Sequence, residues 1–143
     1  MTDGKLPFSL SVRVYWEDTD AGGVVYHASY LRFLERARSE WLRALGIAQE
    51  SLRLAQDRVF AIAGMEIAFR LPARLDDLLD VTVERLELGG ASMVFHQRLL
   101  RGEQVLVDAS VRVACLVASS FRPCPIPPSL RQQLGNAAFR RTE

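Results

Sequence analysis

The sequence predicts an α+β fold, one antiparallel sheet with a single long helix covering its apolar face. Three observations predict it. Apolar and polar residues alternate in one early segment and in four later ones, the period of half-buried strands. Between them, from about His27, apolar residues recur at spacings of three and four, the period of a helix. The later segments are joined by short turns, as antiparallel neighbours are. The predicted order is β-α-β-β-β-β.

Each element has its own signature. Phe8, Leu10, Val12, Val14 and Trp16 share one face of the first strand, with Ser9, Ser11, Arg13 and Glu17 between them. Asp18 to Gly23 breaks the alternation and reads as a loop. In the helix, Tyr30, Phe33, Leu34, Ala37, Trp41 and Leu45 form the apolar stripe. Arg32, Glu35, Arg36, Glu40 and Arg43 form the other face, where Arg36–Glu40 and Glu40–Arg43 are spaced for ion pairs and Glu35 for a neighbouring Arg. Gly46 is a stop signal, and Gln49 to Gln56 reads as a shorter helix.

Ala61, Ala63, Met65, Ile67 and Phe69 alternate in the second strand. In the third, Leu79, Val81 and Val83 give way to Leu86 and Leu88, a phase slip that predicts a bulge near Arg85. Gly89-Gly90 predicts a two-residue turn into a strand over Ser92 to Leu100, and Arg101-Gly102-Glu103 a second turn. Val105, Val107, Ala109, Val111, Val113, Cys115 and Val117 line one face of the last strand, opposite Asp108, Ser110 and Arg112. Pro123, Pro125, Pro127 and Pro128 argue against regular structure in the tail, Ser129 to Leu134 reads as a last helical turn, and residues 135–143 read as frayed. With neither repeat nor linker, the expectation is one domain over 1–143 with its core in about 8–127.

Composition narrows the function. At 49% apolar, the 143 residues suffice for a core. Eighteen basic against 17 acidic residues give a net charge of +1, which excludes a basic nucleic-acid-binding arm. No apolar run approaches the roughly 18 residues of a membrane span. Met1 to Leu10 lacks the apolar stretch of a signal peptide, so a cytoplasmic location is expected. Cys115 and Cys124 are too few for a disulfide framework, and Cys115 reads as a core residue. His27 and His96 are the only histidines and have no cysteine near them, so no metal site is expected. Lys5 is the only lysine, which argues against Schiff-base chemistry.

Chemistry is expected in the run Asp18-Thr19-Asp20-Ala21-Gly22-Gly23-Val24-Val25-Tyr26-His27. Carboxylates on a loop meet two glycines, which admit close backbone approach, and a helix N-terminus with unpaired N–H groups. A carboxylate facing such a terminus can hydrolyse an ester, as nucleophile or by activating water, while the N–H groups hold the oxyanion. An ordinary Asp, with a pKa near ~3.9, is ionised at neutral pH without tuning. The plain alternative is that Asp18 or Asp20 serves as an N-cap or Asx turn. His96, with no partner at motif spacing, reads as structural. No Gly-x-Ser-x-Gly is present, which excludes a serine-hydrolase elbow.

The run from Val14 through Tyr15, Trp16, Glu17 and the ten residues above to Ala28, Ser29, Tyr30 and Leu31 resembles hotdog-fold acyl-CoA thioesterases, and so do Phe33, Glu35, Arg36, Ala37 and Arg38. The resemblance is to the 4-hydroxybenzoyl-CoA thioesterase family, and within it to the bacterial Tol–Pal-associated subgroup. Pro72-Ala73-Arg74-Leu75-Asp76-Asp77 resembles the same subgroup, and the likeness extends from about Ser11 to Pro127. It implies a curved sheet wrapped around the helix, hydrolysis of acyl-CoA, no cofactor, and a homodimer or homotetramer with the site between subunits. It implies that Asp20 is the catalytic carboxylate and that the backbone N–H of His27 polarises the thioester carbonyl. Gly23, Val25 and Tyr26 are expected at the substrate in the same turn. Arg70, Arg74 or Arg98 is expected at the coenzyme A phosphates. Two rival expectations remain: an acyl thioester dehydratase or hydratase of the same fold, and a non-catalytic scaffold for acyl carrier protein or lipid-synthesis enzymes.

Overall fold

A computed structural model describes residues 4–138. Strand β1 (Phe8–Arg13) is followed by a short 3-10 turn (Trp16–Asp18), helix α1 (His27–Ala44) and helix α2 (Gln49–Gln56). Strands β2 (Arg58–Phe69), β3 (Leu78–Val83), β4 (Arg85–Leu88), β5 (Ser92–Arg101) and β6 (Gln104–Val117) come next. A two-residue strand β7 (Arg122–Pro123) and helix α3 (Pro128–Ala138) complete the chain. The sheet runs β1-β3-β5-β6-β2, every pairing antiparallel, with β4 on β5 and β7 on β6. This is the hotdog fold, with α1 packed on the apolar face of β1, β3 and β5.

Helix α1 begins where the spacing predicts, and Phe33, Leu34, Ala37 and Trp41 are fully buried. Gly46 stops it in the left-handed region at φ 85°. The Gly46 N–H donates to Arg43 O, and the Ile47 N–H to Leu42 O. That pair of bonds is a Schellman cap, closed by the buried side chains of Leu42 and Ile47.

Several expectations are corrected. Strand β1 ends at Arg13, and Trp16 is 80% exposed on the 3-10 turn, because Val14 leaves the ladder to bond Asp76 and Asp77. In β2 the register against β6 slips between Ile62 and Gly64, so Ala63 is an extra residue and does not share the Met65 face. Phe60 and Ile62, opposite Cys115 and Val113, carry that face before the slip. The bulge expected near Arg85 falls at the β3–β4 break: Val81 faces Leu99 while Arg85 faces His96. Four steps on one strand thus meet three on the other, and the Thr82 hydroxyl bridges the gap to Arg98.

The β4–β5 connection uses Gly89, Gly90 and Ala91 rather than two residues, closed by the Gly89 N–H on Ser92 O. Neither glycine has the positive φ that a two-residue primed turn requires. Arg36 lies over the Phe33 ring instead of pairing with Glu40, and Glu35 takes the Ser39 hydroxyl instead of an arginine. The tail is more regular than its prolines suggest. Pro123 sits at the sheet edge, Pro128 opens α3 where its missing N–H costs nothing, and α3 runs past Gly135 to Ala138. The expectation for residues 139–143 lies outside the described residues.

Candidate active site

The loop between β1 and α1 closes on Asp18. The residue is 4% exposed, and its carboxylate accepts the Tyr15 N–H at 2.8 Å. Its carbonyl accepts the Tyr26 N–H at 2.8 Å and the Ser29 hydroxyl at 3.1 Å. Asp18 thus takes the structural role and ties the loop's entry to its exit. Thr19 and Val25 form a bridge across the loop. Inside it, Asp20 Oδ1 accepts the Gly22 N–H at 2.8 Å in an Asx turn, and Gly23 supplies the left-handed residue at φ 83°. Asp20 itself is exposed, with its second carboxylate oxygen unbonded among the described residues.

His27 is the first residue of α1, following Tyr26 as N-cap at φ −64° and ψ 135°. Among the described residues no side chain caps this end, and no acidic residue lies in its first turn. The first N–H groups and the positive end of the helix dipole are therefore available to an acceptor. A cavity of about 350 Å³ brings Asp20, Val24, Val25, His27 and Tyr30 together with the segment from Phe69 to Pro72. Asp20, His27 and Val25 of the expected set share its wall. Gly23 and Tyr26 do not; Gly23 shapes the turn, and the half-exposed Tyr26 ring rests 4.5 Å from His27.

The segment that ends at Pro72 is braced by Arg101. Arg101 binds Pro72 O at 3.3 Å and pairs with Asp77 at 2.8 Å. Burial pushes the Asp77 carboxyl up, but the Arg74 N–H and the Arg101 guanidinium outweigh it and hold it below the ordinary Asp value. Among the expected phosphate ligands, Arg70 lines the cavity, yet it shares Asp108 with Arg98, at 2.8 and 3.1 Å. Arg74 forms a bridge with Val24 beside the loop. His96 lies on the sheet's other face, its ring held between Glu87 at 2.6 Å and Ser110 at 3.2 Å.

Sequence reasoning missed Tyr30. It reads as one more member of the apolar stripe, but its hydroxyl accepts the Ala73 N–H at 3.0 Å and it forms part of the cavity wall. Only a contact 43 residues away in sequence distinguishes it from a core aromatic, and periodicity carries no such signal. Arg38 and Gln97 were equally hidden: both are buried and joined at 3.0 Å between α1 and the sheet. Burial lowers the Arg38 pKa to about 10, against the pull of Glu35.

Residues 14–134 match the family model of the thioesterase-like superfamily. The chain is 47% identical over 124 residues to an acyl-CoA thioesterase, YbgC, of Haemophilus influenzae, covering 87% of this chain and 91% of that one. It is 44% identical over 124 residues to the acyl-CoA thioester hydrolase YbgC of Escherichia coli O6:H1, covering 86% and 92%. Among solved structures, a probable thioesterase from Bartonella henselae superposes with a TM-score of 0.80 at 39% identity, covering 85% of this chain and 99% of that one. By this match over most of its length, and by its sheet order and central helix, the chain belongs to the thioesterase-like superfamily and is a thioester hydrolase of the hotdog fold.

Proposed function

We propose that the protein hydrolyses acyl-CoA to the free acid and coenzyme A, with Asp20 as its carboxylate and the N-terminus of α1 as its oxyanion site. One observation carries the reading: an exposed carboxylate and an uncapped helix start at His27 share a single cavity. Asp20 either takes a proton from water as the water oxygen attacks the thioester carbon, or attacks that carbon itself and leaves an anhydride for water to open. In both routes the C–S bond breaks, the sulfur leaves with its electron pair, and the His27 N–H holds the transient negative oxygen. Losing such a donor typically costs about 10²–10³ in rate. The acyl-CoA substrate is supported by the relatives' activities. The Asp20 motif supports placement in the Tol–Pal-associated subgroup of the 4-hydroxybenzoyl-CoA family.

We further infer a homodimer or homotetramer. Strand β2 ends the sheet with one edge unpaired among the described residues, and Ile62, Phe69 and Leu71 beside it are between 42% and 54% exposed. An apolar unpaired edge favours a second copy.

The test is a hydrolysis screen across short-chain, long-chain and aromatic acyl-CoAs and an acyl carrier protein thioester, with sedimentation of the active species. The expected result is release of coenzyme A thiol from at least one acyl-CoA by a species of two or four chains. Hydrolysis of none of them, or full activity in a 16.0 kDa species, contradicts the reading.

A further inference from the structure

Tyr30 stands in the cavity wall with Asp20 and His27, yet the chemistry above gives it no task. It lies on α1 one turn beyond His27, and helical side chains lean back over the turn before their own. The phenol is thereby carried toward the first N–H groups of the helix. Its oxygen is held in one position, because the Ala73 N–H donates to it at 3.0 Å. The same Ala73 accepts the Val25 N–H at 2.9 Å, so the phenol and the loop hang from one fully buried residue.

A phenol both accepts and donates. With Ala73 on the acceptor side, the hydroxyl hydrogen remains, and no described residue takes it. Among the described lining residues Tyr30 alone carries a hydroxyl, since the others are apolar, carboxylate, imidazole or guanidinium. Burial keeps it protonated by raising its pKa; the Ala73 N–H and Arg101 work against this, while Asp77 and Asp20 reinforce it.

We propose that the Tyr30 hydroxyl is a second hydrogen-bond donor to the oxygen that becomes negative when the thioester is attacked, beside the His27 N–H. No proton is transferred: the hydroxyl keeps its hydrogen throughout, and its bond strengthens as charge gathers on the oxygen. The inference rests on the hydrolytic reading and adds a residue to it.

Tyr30→Phe is expected to lower kcat by about 10²–10³-fold, with KM changed only a few-fold. Because this variant also strands the Ala73 N–H, a second variant retains that bond. Site-specific replacement of Tyr30 by 3-fluorotyrosine keeps the hydroxyl and makes it more acidic. The expected result is kcat at neutral pH equal to or above wild type, and an alkaline loss of activity that begins at lower pH, since a phenolate cannot donate. A full rate in Tyr30→Phe overturns the proposal. So does an unmoved alkaline limb in the fluorinated enzyme, which leaves Tyr30 a purely structural role. A fall in kcat at neutral pH overturns it too, because it means that the hydroxyl donates to the Asp20 carboxylate and weakens it. Wild-type protein inert toward every thioester instead contradicts the hydrolytic reading itself.

Discussion

Two aspartates two residues apart show what a single side chain's surroundings decide. Asp18 and Asp20 were indistinguishable by spacing, and both had plain capping roles open to them. Burial separates them: Asp18 is enclosed and bonds the loop's own backbone, whereas Asp20 is exposed beside the helix start. Asp20 also makes the Asx turn to Gly22, so the plain and the chemical readings hold for the same residue. Of the two cysteines, only Cys115 was legible as a core residue, because it sits in an unbroken apolar strand face. Their mutual contact was not. Their sulfurs lie 3.7 Å apart as free thiols, and burial together with the Cys124 thiol pushes Cys115 up to about 12. A raised thiol pKa stabilises the fold fully below the free value near 9.0 and loses that contribution as pH rises toward 12. Cys115 is therefore expected to resist iodoacetamide at pH 8 in the native protein and to react promptly in denaturant, with stability falling between those two pH values. Native alkylation at the denatured rate contradicts this account.

Among the elements, α1 was legible from end to end, since its stripe, its start near His27 and its stop at Gly46 are all local signals. The strands were less so. In β2 the small residues Ala61 and Ala63 extend the alternation of Met65, Ile67 and Phe69 in the wrong phase, and only pairing with β6 reveals the slip at Ala63. The helix start also yields the cleanest separation of backbone from side chain. His27 is the first helical residue, where proline is favoured, and the extended ψ of Tyr26 is what a following proline requires. His27→Pro is thus expected to fold with a near-native melting temperature and to lose about 10²–10³ in kcat through its missing N–H. His27→Ala retains the N–H and should keep measurable turnover. A folded His27→Pro enzyme at the wild-type rate removes the oxyanion role from this position.

Across the whole molecule, strand order is a consequence of patterning: four late strands on short turns, one early strand and one amphipathic helix close into a single antiparallel sheet around α1. The tail escapes this logic because residue type alone does not say where a proline sits. In place they occupy a sheet edge and a first helical turn, and Leu130 and Leu134 of α3 bury themselves in the common core. What the sequence does not spell out is how a loop, a helix start and the segment after β2 meet in one cavity; that meeting depends on long-range bonds through Ala73, Pro72 and Asp77. Thioester hydrolysis at this meeting point is proposed to run through Asp20. Its most direct test measures turnover and binding together in Asp20→Asn, with Asp18→Asn as the control. Asn keeps an oxygen for the Gly22 N–H and removes only the negative charge. The expected result is an acyl-CoA hydrolysis rate lower by at least about 10²-fold, with affinity for a non-hydrolysable thioether analogue retained. Asp18→Asn should show its main effect as a lowered melting temperature. Near-wild-type turnover in a folded Asp20→Asn protein would contradict the claim and favour a scaffold whose hydrolysis does not arise at this site.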